Sequence, residues 1–369
     1  MKILQLLPSL TSGGVEQVVL ELSEGLVQKG HECIVVSAGG AMVADIENAG
    51  ARHITMNVGK KSLRLPFVIR DLAKLIEQER PDVLHLHSRL PACVGHWALK
   101  KVPAEKRPKV VSTFHCRYAV NSYSAVMAKG DKVVAVSNFI QEHILECYPT
   151  TPAEKIVVIP NSVDFSQHTP EYRPSDEWYE KWYAQYPELK GKYVICLPGR
   201  VARQKGADHL VPILTSLKER GIPAHAIIVG EVKKRKEAFR KRLVKKLEKA
   251  GLSDNVTWTG LRRDIRDVMV ASDVVISLSL VPESFGKTVL EALALGRPTA
   301  GYESGGVGEQ LAAYLPEGKV KTMDTDAMAN VLAAWYQNPP KPRLPLSDEY
   351  SRESMINAHI ALYKELSEQ

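Results

Sequence analysis

The N-terminal stretch constrains the fold most. Residues 2–7 (KILQLL) form a near-continuous apolar run, the pattern of a strand covered on both faces. Pro8-Ser9-Leu10-Thr11-Ser12-Gly13-Gly14 then reads as a turn. Residues 15–29 follow with apolar side chains at Val15, Val18, Val19, Leu22 and Leu26, a helical spacing. Gly30 suits a helix C-terminus, and residues 32–37 (ECIVVS) read as a second strand. Two strands joined through a helix must run in the same direction, so the unit is βαβ and the sheet is parallel.

The rhythm continues. Residues 68–78 read as a helix, and 82–87, 110–115, 132–136 and 155–159 as strands. Ser137 or Asn138 caps a helix after the third of these. Residues 165–191 break the pattern with Pro, Tyr, Trp and charges, and are helical only near 178–186. A second α/β series starts at residue 193. Its strands are expected at 193–200, 225–229, 256–259 and 274–277, and its helices at 233–249 and 288–295. Residues 355–366 form a last helix. A chain of 369 residues is long enough for two cores. We expect an N-terminal Rossmann-like domain at 1–165, a linker at 166–190, a C-terminal Rossmann-like domain at 191–345 and a closing helical segment at 346–369.

Five scattered cysteines without a C-x-x-C pair fit reduced thiols, mostly in the core, and a cytoplasmic setting. The apolar N-terminal run is too short for a signal peptide, and no run approaches a membrane span. The formal net charge of +7 suits nucleic acid, an anionic membrane or a phosphorylated substrate, and does not choose among them.

The strongest chemical pattern is Pro282-Glu283-Ser284-Phe285-Gly286-Lys287-Thr288-Val289-Leu290-Glu291. The apolar run behind Gly286 makes its second half a helix, and the first amides of a helix hold anions well. Gly286 lets the backbone come close to a phosphate. Glu283 can accept hydrogen bonds from sugar hydroxyls and Glu291 from a ribose. A bland reading, an exposed helix with two unrelated acids, accounts for this stretch alone.

Together with the following A-L-A-L-G-R-P, this E-x7-E pattern resembles the retaining glycosyltransferases of family 4. The resemblance spans almost the whole chain and implies the α/β GT-B fold. That fold has two Rossmann-like domains facing across a cleft and a C-terminal helix crossing back to the first. It implies that Gly199-Arg200-Val201-Ala202-Arg203-Gln204-Lys205-Gly206 is the family's G-R-x4-K-G element, with Arg200 and Lys205 clamping the donor diphosphate. Phe285, Gly286, Lys287 and Thr288 then line the donor site between Glu283 and Glu291. Gly13 and Gly14 lie near the transferred sugar and phosphate, although a turn role explains a glycine pair equally simply. His115, closing a strand, contacts the donor sugar and with Glu283 is the expected catalytic pair, acting by positioning. His85 and His87 are expected to be structural, with a place on the acceptor side as the alternative.

Pro160-Asn161-Ser162-Val163-Asp164 is similar to the family's P-N-G-V-D, with serine in place of glycine. Ser304-Gly305-Gly306-Val307-Gly308-Glu309 is similar to its glycine loop. The base is expected near 256–263 and the Gly230-Glu231 turn. Asp264 and Asp273 take structural roles.

The resemblance implies a nucleotide-diphosphate sugar as donor, UDP favoured with GDP and ADP open, and no tightly bound metal. Likeness over 282–295 and 301–310 extends to bacterial lipopolysaccharide core and surface-polysaccharide transferases. A hexose-type sugar would pass to a glycan or glycolipid acceptor such as a lipopolysaccharide core. The basic run Lys233-Lys234-Arg235-Lys236, Arg240-Lys241-Arg242, Lys245-Lys246 and Lys249 reads first as a solvated helix face. Its sharper reading is a contact with the anionic inner leaflet, which would make the protein peripheral. No nucleic-acid motif accompanies it, so nucleic acid is not an expected partner. The competing functions are a nucleotide-sugar epimerase of the same fold and a non-enzymatic nucleotide- or nucleic-acid-binding protein.

Overall fold

The computed structural model describes residues 1–11, 13–232 and 236–368, so Ser12, Lys233, Lys234 and Arg235 of the patterns above lie outside the described residues. The chain divides into unit 1, Met1–Ser162 with Asp348–Gln369, and unit 2, Val163–Ser347.

Unit 1 strings together β1 (Lys2–Leu6), α1 (Gly14–Gln28), β2 (Glu32–Ser37), α2 (Val43–Asn48), β3 (Arg52–Thr55), α3 (Leu65–Glu79), β4 (Val83–Leu86), α4 (Arg89–Leu99), β5 (Lys109–Phe114), β6 (Lys132–Ala135), α5 (Asn138–Cys147) and β7 (Ile156–Val158). The seven strands form one sheet in the order β3-β2-β1-β4-β5-β6-β7, every pair parallel. Ser137 is the cap of α5, accepting from the Ile140 amide at 3.2 Å.

Unit 2 contains α6 (Asp176–Gln185), β8 (Tyr193–Pro198), α7 (Leu210–Glu219), β9 (Ala224–Val229), α8 (Glu237–Lys249), β10 (Val256–Gly260), α9 (Ile265–Val270), β11 (Val274–Ser277), α10 (Lys287–Ala294), β12 (Thr299–Tyr302), α11 (Gly305–Tyr314), β13 (Lys319–Val320) and α12 (Thr325–Gln337). Its six strands run β10-β9-β8-β11-β12-β13, again all parallel. Trp182 of α6 joins Tyr186, Val194, Ile227 and Met269 in the core of this unit.

The last helix, α13 (Arg352–Ser367), belongs to unit 1. Met355, Ile356, Ile360, Tyr363 and Leu366 join Ile3, Val19, Leu22 and Val35 in one core cluster. Each such side chain contributes on the order of 1.5–3 kcal/mol by leaving water. The α1–α13 contact depends on Gly25, since a Cβ there would lie 2.3 Å from Ile356 Cδ1. Lys29–Glu353, Arg352–Glu24 and Lys132–Glu365 ion pairs rim the helix. Among the described residues no helix is long and apolar enough to cross a membrane.

Both sheets reverse their strand order once, between β1 and β4 in unit 1 and between β8 and β11 in unit 2. Open α/β sheets bind ligands beyond the carboxyl ends of the strands at such a reversal. The loops after β1, β4, β8 and β11 are therefore the places to look.

Candidate active site

In unit 2 the loops after β8 and β11 press together. Gly206 ends a short turn at Arg203–Lys205 with φ +67, and a Cβ there would stand 1.9 Å from the Leu278 carbonyl oxygen. The Leu280 amide donates to the Gln204 carbonyl at 2.8 Å. This contact brings the two expected donor motifs into one cluster. Lys205 Nζ pairs with Glu283 Oε1, and the Ser279 hydroxyl donates to the same oxygen. Lys205 and Glu283 keep 33% and 24% side-chain exposure, so the pair is reachable from solvent. Arg200 is exposed in the same loop. Gly230 packs on Gly199, where a Cβ would approach the Gly199 carbonyl to 2.0 Å, so the turn after β9 braces this loop.

The backbone of Glu283 is held from the glycine loop. The Gly306 amide donates to the Glu283 carbonyl at 2.8 Å. Gly305 has φ +58, and a Cβ on it would lie 2.2 Å from that carbonyl oxygen. Gln310 Nε2 donates to the Phe285 carbonyl at 2.7 Å, while the Phe285 ring is buried. Gly286 is the N-cap of α10 with φ +85 and no side-chain cap. The ladder of α10 starts with Val289 and Leu290 on the Gly286 carbonyl. The helix therefore opens directly behind Glu283, with Lys287 and Thr288 in its first turn and a half-buried Glu291 one turn on. A helix N-terminus, the Lys205 ammonium and a carboxylate converge here, which suits an anion bearing hydroxyl groups.

This geometry gives a direct test. Gly305→Ala should displace Glu283 through its backbone while leaving the Lys205 loop, held by the Gly206 turn, in place. We expect the mutant to bind a nucleoside diphosphate but to lose at least ~10-fold in turnover, about 1.4 kcal/mol. Isothermal titration and a transfer assay measure the two separately.

Asp264 pairs with Arg262 and accepts from Trp178 Nε1 at 2.8 Å, and the Arg262 guanidinium holds its carboxyl below the usual range. Asp273 accepts from the Val194 amide at 2.7 Å. Both brace the fold. Near the expected base region, the Arg240 guanidinium lies over the Trp258 ring at 5.5 Å. The 330 Å³ recess beside Tyr193 and Trp335 sits at the opposite strand ends and takes no part.

In unit 1, Gly13 and Gly14 open α1 after β1 and are exposed. A Cβ on Gly13 would meet Glu16 Oε2 at 2.6 Å. His115 follows β5 directly and is half-buried. Its Nε2 lies 3.0 Å from His87 Nδ1, and His87 Nε2 lies 2.9 Å from Gln5 Oε1. The Ser23 hydroxyl donates to the Val19 carbonyl and accepts from Gln5 Nε2 at 2.9 Å, which fixes the Gln5 amide. Its oxygen then requires an N–H on His87 Nε2, leaving Nδ1 as acceptor and making His115 Nε2 the donor. His115 is thereby set with Nδ1 as an acceptor.

His85 is fully buried and bonds Thr113 Oγ1 and Tyr363 OH, each at 2.7 Å. Burial holds all these rings neutral: His85 and His87 well below the ordinary histidine value, and His115 at about 3. His359, whose Nδ1 bonds the Met355 carbonyl, is lowered to about 4 by burial.

Sequence reasoning missed Ser279, Gln5 and the orienting part of His87. A glutamine inside the apolar run of β1 was the available signal for Gln5. Ser279 carried none beyond its place in the loop after β11.

Two all-parallel α/β units, each with one reversal of strand order, are the architecture of the GT-B fold. The chain belongs to the glycosyltransferases, with residues 12–167 matching Glycosyltransferase Family 4 and residues 179–352 matching Glycosyl transferases group 1. It is 26% identical over 359 residues to 2-deoxystreptamine N-acetyl-D-glucosaminyltransferase of Streptomyces fradiae, covering 86% of this chain and 80% of that one. A crystal structure of a glycosyltransferase from Rickettsia africae ESF-5 is 28% identical with a TM-score of 0.84, covering 99% of this chain and 98% of that one. The Anabaena protein HepE, solved in complex with UDP-glucose, shares the fold at 19% identity and a TM-score of 0.79, over 100% of this chain and 98% of that one.

Proposed function

We propose that this protein is a retaining hexosyltransferase that takes its sugar from a UDP-sugar and passes it to a glycan or glycolipid acceptor. The Lys205–Glu283–Ser279 cluster at the head of α10 carries the reading. Arg200 and Lys205 neutralise the diphosphate as it leaves, aided by the α10 amides. Glu283 and Glu291 accept from sugar and ribose hydroxyls, and Phe285, Gly286, Lys287 and Thr288 shape the backbone between them. UDP is favoured because the Anabaena relative holds UDP-glucose and the fold is shared over the whole chain.

Unit 1 (Met1–Ser162 with Asp348–Gln369) takes the acceptor and unit 2 (Val163–Ser347) the donor. Gly13 and Gly14 keep the start of α1 open, and His115 positions the reacting hydroxyl as a neutral hydrogen-bond acceptor. The leaving phosphate oxygen takes the acceptor's proton, and retention follows from attack on the face where the diphosphate departs. A surface polysaccharide or lipopolysaccharide core at the inner leaflet is the acceptor class that the 282–295 and 301–310 segments favour.

Thermal melting with UDP, GDP and ADP tests the donor, and the anomeric configuration of the product by proton NMR tests retention. A shift with UDP alone and an axial product from an axial donor are expected. No shift with any nucleotide in a folded sample would remove the donor site. An inverted product would remove the retaining mechanism.

A further inference from the structure

Of the large exposed apolar side chains of unit 1, Leu63 just before α3, Phe67 and Trp97 lie on or next to α3 and α4, whereas Val120 and Leu145 do not. Leu63 is 98% exposed, Phe67 57% and Trp97 42%, an unusual cost for side chains of this size. Phe67 stands on the first turns of α3 and Trp97 on the last turns of α4. They line one open groove of about 550 Å³ with Pro66, Arg70, Lys100 and Lys101. Trp97 and Lys100 also border a second recess of about 670 Å³ that holds Tyr123, Arg107 and Lys129. The Lys61 ammonium lies over the Tyr123 ring at 4.9 Å.

Positive charge dominates here, with Asp131 the acid that lines the second recess. Residues 60–74 carry Lys60, Lys61, Arg64, Arg70 and Lys74 against the single acid Asp71, which already pairs with Arg70 at 3.8 Å. We propose that this α3–α4 face docks on an anionic phospholipid bilayer, with Leu63, Phe67 and Trp97 entering the headgroup layer and the surrounding lysines and arginines meeting lipid phosphates.

Three observations favour a lipid surface over other occupants. The cores of protein interfaces are depleted of lysine, whereas here Lys100 and Lys101 at the end of α4, with Arg70 of α3, border the apolar side chains. A second copy would set the same cations against one another. An indole beside lysines, with aliphatic groups projecting past them, is the composition of an interfacial anchor.

The basic helix α8 does not compete for this role. Its large apolar residues Phe239, Leu243 and Leu247 are buried in unit 2 and Val244 is half-buried, so the exposed positions are charged apart from the small Ala238. It can attract an anionic surface but exposes no large apolar side chain to insert.

The test is flotation of the whole protein with vesicles of neutral phosphatidylcholine and with vesicles that are roughly one third phosphatidylglycerol. Binding is expected to the anionic vesicles only. It should fall at least ~10-fold in Phe67→Ser/Trp97→Ser and in Lys100→Glu/Lys101→Glu. Lys241→Glu/Lys245→Glu in α8 should leave most of it. A blue shift of tryptophan emission on anionic vesicles, lost in Trp97→Ser, reports insertion independently of folding defects.

The proposal is overturned by absent binding, by equal binding to neutral vesicles, or by loss only in the α8 variant. It is also overturned if the Phe67→Ser/Trp97→Ser change abolishes self-association in the absence of lipid. None of these readouts depends on sugar transfer, so the donor assignment stands or falls separately.

Discussion

Lys205→Ala is expected to lower kcat/KM by about 10²–10³-fold and to abolish the melting shift produced by UDP. The apo protein should melt within ~3 °C of the wild type. Lys205 is one third exposed and Glu283 one quarter, and ion pairs of that kind contribute about 1 kcal/mol or less. The functional loss is far larger because the ammonium faces a diphosphate whose charge grows as the glycosidic bond breaks. Water reorganises to meet that charge, whereas a lysine fixed by Glu283 and by the Gly206 turn is already in place.

Glu283→Gln separates the two halves of the cluster. It removes the carboxylate but keeps the amide-bearing loop and the head of α10. The UDP shift should survive while turnover falls by a similar factor. Arg200→Ala, exposed on the same loop, should weaken UDP binding with a smaller effect on the apo melt. If Lys205→Ala retained the UDP shift and most of its turnover, the cluster would be a surface ion pair and the donor would bind elsewhere.

Much of this architecture was legible residue by residue. Strands buried on both faces read as unbroken apolar runs, as in residues 193–197, and helices declared themselves through caps such as Ser137. The motif bearing Glu283 and Glu291 pointed to a helix N-terminus because Gly286 precedes an apolar run. Other elements were harder. β3 reads RHIT and β12 reads TAGY, too short and mixed for periodicity to act on. α12 was findable, since Met328, Leu332 and Trp335 keep a helical spacing in an alanine-rich stretch.

The least legible features are those made by contact across long sequence separations. Glycines 206, 305 and 306 look like ordinary turns in the sequence, yet the backbone of Leu278, Glu283 or Phe285 occupies the space where a Cβ would be. Tyr363 reaches His85 across 278 positions, and no local pattern announces that bond. Likewise His87 gave only a strand-end histidine. Its role in fixing the ring of His115 emerges once Gln5 and Ser23 are seen to terminate the chain of donors.

Acid should unfold this protein unusually early. All eleven histidines have their proton affinity lowered, chiefly by burial, and four of them cluster in unit 1 as His85, His87, His115 and His359. A histidine whose folded value lies below its unfolded value of about 6.5 binds its proton preferentially in the unfolded chain. The stability it gives is full above that value and is lost as pH falls toward the folded one. Each such ring contributes a slope of up to about 1.4 kcal/mol per pH unit, so the three fully buried members of the cluster alone give about 4. We therefore expect a flat melting temperature above about pH 7 and a steep fall between about pH 6 and 5. His85→Gln should flatten that fall, because glutamine can still bond Thr113 and Tyr363 but does not titrate. Transfer activity should disappear with the fold over the same range, since His115 itself stays neutral down to about 3. A melting temperature that held steady to pH 5 would show that the folded cluster accepts protons. The chain of fixed tautomers from Gln5 to His115 would then be wrong, because a protonated His87 has no acceptor to offer.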